Sequence, residues 1–214
     1  IFGANDGLVS NLALIMGIAG AKAEPGIVVL AGIAGLLAGA FSMGAGEFIS
    51  MRVKRDVFEN LLAFERDELE TMPDAEMREL AGIYKKRGIP DNLAVATAQA
   101  VHADLDLALE THAREELGLD PNDLGSPWGA AISSFITFSI GALIPLVPFL
   151  FGSGTAAIAW ASILSGATLF AIGAAMTVFT GKNLLAQGLK MLAVGGAAAI
   201  TTYLVGSILG VNLS

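Results

Sequence analysis

Pro25 to Gly46 reads PGIVVLAGIAGLLAGAFSMGAG, 22 residues without a charged side chain between Glu24 and Glu47. A helix needs ~20 mostly apolar residues to cross ~30 Å of hydrocarbon. This stretch therefore predicts a membrane span, and it sets the reading of everything around it. Downstream, 58 uncharged residues separate Asp123 from Lys182, broken by the turn signal Phe151-Gly152-Ser153-Gly154-Thr155. Two spans fit there, near 128–150 and 156–180, and a last one runs from about Leu184 to Leu209. Upstream, only 15 residues separate Asp6 from Lys22. A first span of full length requires Asp6 to lie inside the membrane. An intramembrane carboxylate is costly and marks function by default; the alternative is that Asp6 only caps a helix start before Gly7.

Composition agrees with five spans. Only 15% of residues are charged and the mean hydropathy is +0.68, against about 25% charged in soluble domains. Cysteine is absent, so thiolate metal sites, disulfides and cysteine nucleophiles are excluded. Charge is concentrated between residues 52 and 126, which hold 17 of the 20 acidic and 9 of the 12 basic groups. The formal charge of −8 belongs to this segment alone. An acidic surface attracts cations and argues against nucleic acid. The chain divides into spans 1–2 (1–51), an acidic domain (52–126) and spans 3–5 (127–214). Arg52, Lys54, Arg55 and Lys182 place the acidic domain on the cytoplasmic side by the positive-inside rule. The chain opens at Ile1 with no signal-peptide pattern, and a further segment is expected ahead of it.

Gly35 and Gly39 of span 2 are four apart, the close-approach spacing of membrane helices. Gly39, Met43, Gly46 and Glu47 share a helical face, so a thioether and a carboxylate project into a seam lined by small residues. The bland alternative is a packing face with one methionine filling a gap.

The acidic domain reads as three helices: Arg52–Glu70, which continues from span 2, then 75–87 with Asp74 as N-cap, and 91–117 closed by Gly118. Glu65 and Glu68 are three apart on the first, Glu76 and Glu79 on the second, and His112 and Glu116 four apart on the third. A short hairpin at 71–74 sets the first two helices antiparallel, so these carboxylates can converge with one imidazole. Such donors suit Fe(II) or Mn(II), with Co(II) and Zn(II) as further candidates; a solvated acidic face is the alternative. His102 and Asp106 read as a surface pair; Met72 and Met77 lie near the cluster and read as core, with soft ligands as the alternative.

Several of these elements together resemble the vacuolar iron transporter family. They are Asp6-Gly7-Leu8-Val9-Ser10 at the start of span 1 and Gly39-Ala40-Phe41-Ser42-Met43-Gly44-Ala45-Gly46-Glu47-Phe48 at the end of span 2. Glu65-x-x-Glu68 and Glu76-x-x-Glu79-Leu80-x-x-Ile83-Tyr84 continue the match. The resemblance implies a five-span, all-α membrane protein with a cytoplasmic metal-binding domain between spans 2 and 3. It implies a homodimer paired through spans 1 and 2 in the lipid bilayer. It further implies exchange of cytosolic Fe(II), sometimes Mn(II), for protons, with no permanently bound cofactor. Asp6 and Met43 are then ion ligands within the membrane, with Glu47 beside them. Glu65, Glu68, Glu76, Glu79 and Glu116 are ligands of the cytosolic domain.

Where the family's third helix can offer methionines, this chain has His112 followed by Ala113, which hardens the donor set. Arg114 through Trp128 resembles bacterial members with a ferritin-like domain ahead of the transporter, implying an inner-membrane location and such a module before Ile1. Two other functions are compatible with the residues: a di-iron oxidase, which usually draws on Glu-x-x-His pairs that are absent here, and a membrane-anchored metal sensor or scaffold.

Overall fold

A computed structural model describes residues 1–213, with side chains through Gly210. Its helices are α1 (Phe2–Gly20), α2 (Pro25–Thr71), α3 (Pro73–Lys86), α4 (Asp91–Val101), α5 (Leu105–Glu115), α6 (Pro127–Phe151), α7 (Gly154–Ala175), α8 (Thr177–Thr180) and α9 (Leu184–Leu213). No strand occurs among the described residues. Among the described residues, five helical stretches are long and apolar enough to cross a bilayer: α1, α2, α6, α7 with α8, and α9. Asp6 lies five residues inside α1 rather than at its cap. The chain divides into two compact units, 1–48 with 130–214, and 49–129.

In the first unit α1 is the most enclosed helix, with Gly3, Gly7, Leu8, Asn11, Leu12, Ile15, Met16 and Gly20 all buried. Leu12, Ile15 and Met16 join Val28 of α2, Leu146 and Phe149 of α6, and Ala157 and Ala161 of α7 in one apolar core. Hydrophobic burial cannot drive helices together in lipid, so close backbone approach and polar links decide the packing. Both are visible. A Cβ at Gly7 would strike the Phe138 carbonyl of α6, and one at Gly141 would strike the Ala4 carbonyl of α1. Asn11 Nδ2 donates to Ala142 O across the same interface at 2.7 Å. Against α9, Gly20 meets the Tyr203 backbone and Gly206 the Gly17 carbonyl. Outward-facing Ile33, Leu37 and Phe41 of α2 remain exposed, as lipid-facing residues do.

In the second unit the last turns of α2 are followed by α3, α4 and α5. Leu80, Ala81 and Ala98 form its core, with Met77, Tyr84 and Val101 packed around them. The first helix runs on unbroken from span 2, but α3 begins at Pro73, so Asp74 lies in its first turn and not at its cap. The predicted third helix, 91–117, is corrected: it is two helices, broken at His102–Asp104. Asp104 is the cause. Its carboxylate accepts from the amides of Asp106 and Leu107 at 2.9 and 3.1 Å and starts α5 afresh. The acidic domain thus holds three separate helices besides the end of α2, in place of the three-helix unit expected.

Candidate metal centre and membrane cavity

Four ligand-bearing side chains meet in the second unit. Glu65 comes from α2, Glu76 from α3, His112 from the last turn of α5, and Glu116 from the position that caps it. One ligand-capable atom from each lies within 4.8 Å of all the others. His112 Nδ1 stands 2.9 Å from Glu65 Oε1, 3.3 Å from Glu116 Oε2 and 3.9 Å from Glu76 Oε2. Glu65, Glu76 and His112 are 3%, 6% and 0% exposed, a level that acidic side chains almost never reach unpaired. The close contact between His112 Nδ1 and Glu65 Oε1 lacks hydrogen-bond geometry, so Oε1 is left without a hydrogen-bond partner.

The electrostatics follow from that crowding. Burial, then the charges of Glu116, Glu76, Glu68 and Glu79, push the Glu65 carboxyl up to about 7. Burial and neighbouring carboxylates also raise Glu76 and Glu116. Burial lowers His112, with His102 adding to the effect and Glu79 opposing it, so its imidazole favours the neutral, ligating form. Three carboxylates and a neutral imidazole form a hard donor set for a divalent first-row ion.

Glu68 is half-buried and Glu79 exposed, and neither belongs to the tight group, though both raise the carboxyls within it. His102 differs from its reading as surface. Its ring centroid is 5.2 Å from that of His112, its Nδ1 meets Ala98 O at 2.9 Å, and its Nε2 is buried without a partner. Asp106 pairs instead with Arg66 at 2.7 Å. The helix break separated the two residues, and Asp104 ahead of Leu105 was the available signal.

A cavity of about 390 Å³ opens in the first unit between α1 and α2. Asp6, Ser10, Asn11 and Leu14 line it from α1, Gly35, Gly39, Ser42 and Met43 from α2, and Phe138 from α6. Asp6 and Met43 thus share one cavity. Asp6 is exposed and Met43 half-buried in the single chain. Glu47, one turn beyond Met43, is half-buried and not part of the lining. Sequence reading missed Asn11, although an amide in an apolar span is itself a signal.

Five apolar helices, one of them carrying a carboxylate into a cavity, define a multi-pass membrane protein. Residues 1–207 match the model of the VIT family, and the chain belongs to that family. It is 30% identical to vacuolar iron transporter 1 of Eucalyptus grandis over 95% of this chain and 82% of that protein. It is 35% identical to the vacuolar iron transporter of Acanthamoeba castellanii over 94% of this chain and 73% of that protein. With the Toxoplasma gondii vacuolar iron transporter the figures are 32%, 100% and 76%.

Proposed function

We propose that this protein is a metal transporter that moves cytosolic Fe(II), and Mn(II) as a second substrate, outward across the cell inner membrane in exchange for protons. The observation that carries the reading is the shared cavity of Asp6 and Met43 between two membrane helices. A carboxylate accepts either a proton or a cation, and alternation between the two is the physical requirement of antiport. The thioether adds a soft ligand that favours transition metals over Mg(II) and Ca(II). The acidic domain, placed in the cytoplasm by Arg52, Lys54 and Arg55, gathers ions through its net charge. Glu65, Glu76, His112 and Glu116 hold them there, while Glu68 and Glu79 add field.

The working unit is a homodimer paired through spans 1 and 2. Two observations support it: the cavity leaves Asp6 exposed in one chain, and Val53, Val57, Leu61 and Phe64 form an exposed apolar stripe on α2. The oxidase reading is weaker, because the cluster holds a single histidine.

Proteoliposomes with an internal pH dye test the proposal. Fe(II) or Mn(II) uptake should move protons the opposite way. Asp6→Ala should reduce flux to background and leave metal binding at the Glu65 cluster unchanged. Full flux by Asp6→Ala, or flux without proton movement, would remove the antiport mechanism.

A further inference from the structure

The cavity contains a polar group that the transport reading leaves unused. Asn11 is 2% exposed, and its amide orientation is determined. Nδ2 donates to Ala142 O at 2.7 Å. That carbonyl can only accept, so a flipped amide would set oxygen against oxygen. Oδ1 therefore faces the other way, toward α2, where a Cβ built at Gly35 would stand 2.9 Å from it. No donor reaches Oδ1. A buried acceptor left without a partner costs ~1–3 kcal/mol and is uncommon in folded proteins.

Asn11 also has a definite level in the cavity. Met43 lies at the level of Gly3, 3.4 Å from a Cβ built there, whereas Asn11 lies at the level of Gly35. Eight residues of α2 separate Gly35 from Met43, about 12 Å of helix rise. The cavity reaches both levels. Every other ligand group assigned to it, the Asp6 carboxylate and the Met43 thioether, offers electron pairs. The one amide in the wall hides its N–H groups against α6 and turns its oxygen toward the seam. That polarity selects cations over anions. Oδ1 is buried beside Gly35, so an ion reaches it only where the seam opens at that level.

We propose that Asn11 Oδ1 is a second ion ligand, a neutral station at the far end of the cavity from Met43. The ion passes to it when Asp6 exchanges metal for a proton. The inference rests on the transport reading and extends it. A carbonyl dipole binds a dehydrated divalent ion without taking a proton itself, so this station holds the ion weakly and adds nothing to the proton count.

The test compares the isosteric pair Asn11→Val and Asn11→Thr with the unaltered protein in proteoliposomes, using Mn(II) as a hard ion and Cd(II) as a soft one. Loss of an oxygen ligand should lower kcat for Mn(II) about ten-fold, the size of one hydrogen-bond-strength contact to a charge. The Cd(II) rate should fall less than about three-fold, because a thioether serves Cd(II) better than an amide oxygen does. Asn11→Thr restores an uncharged oxygen and should bring Mn(II) back to within about three-fold. The proton-to-metal ratio should stay constant throughout. Equal losses for both ions, or no loss in Asn11→Val, would mean that Asn11 only ties α1 to α6, and would overturn the inference while leaving transport intact. No flux in the unaltered protein would overturn the transport reading and this inference with it. Should Asn11→Val not fold, Asn11→Ala takes its place: a Mn(II)-to-Cd(II) rate ratio at least about three-fold below that of the unaltered protein supports the station, and an unchanged ratio overturns it.

Discussion

Glu65 shows how one carboxylate can register both metal and pH. Its carboxyl titrates near 7 in the folded protein, against 4.5 for an ordinary glutamate, because it is buried among Glu116, Glu76, Glu68 and Glu79. Between those two values the folded, metal-free protein holds a proton that the unfolded chain has released. Its stability therefore falls as pH rises through that window. A bound cation reverses the preference, since metal and proton compete for the same oxygens. Calorimetric titration of the detergent-solubilised protein should show metal affinity about ten-fold lower at pH 6 than at pH 8, with proton release growing as pH falls. Glu65→Gln should remove most of that pH dependence and weaken binding at pH 8 by at least about ten-fold. Binding that is indifferent to both pH and the substitution would place the ion elsewhere. That Glu65 is a ligand candidate was legible in its spacing from Glu68; that it, and not Glu68, is the buried one was not. Helical periodicity gives both nearly the same face, and only the packing of α3 and α5 distinguishes them.

At the scale of elements, the spans were legible because the bilayer imposes their length, but the contacts between them rest on single hydrogen atoms. Gly7 and Gly141 let α1 and α6 meet backbone to backbone. Gly7→Ala adds one methyl group against the Phe138 carbonyl, and overpacking of this kind costs about 2 kcal/mol. The expected fall in Tm in detergent is about 5 °C. Gly46 of α2 faces open space, so Gly46→Ala should leave Tm unchanged or raise it by removing a mid-helix glycine. Equal effects at the two positions would contradict the packing described. The break between α4 and α5 carries the opposite lesson. Apolar periodicity predicted one helix through 91–117, and a single aspartate that satisfies two amides locally overrode it. The break brings the His102 ring up to His112, which continuous periodicity would have kept nearly three turns away.

For the whole molecule, charge is segregated from hydrocarbon. All of the formal −8 lies between residues 52 and 126, so ion capture should respond to ionic strength where the membrane step does not. Raising salt from about 0.05 to 0.5 M shortens the Debye length from ~14 to ~4 Å. The KM for Mn(II) in proteoliposomes should then rise about three-fold or more with little change in kcat. A KM independent of salt would mean that the acidic domain does not gather ions for transport.

The sequence by itself determined that this chain spans a membrane with helices. Each apolar run has the length a helix needs to cross hydrocarbon, and only a helix satisfies its backbone hydrogen bonds within one such run. It also marked Asp6 and Met43, because a carboxylate and a thioether stand out in a run of small apolar residues. Tertiary structure alone decided which glutamates bury together, that His102 lies against His112, and that Asn11 turns its oxygen to the seam. Periodicity assigns a residue to a face of its own helix, but burial and hydrogen-bond satisfaction depend on which neighbouring helix covers that face.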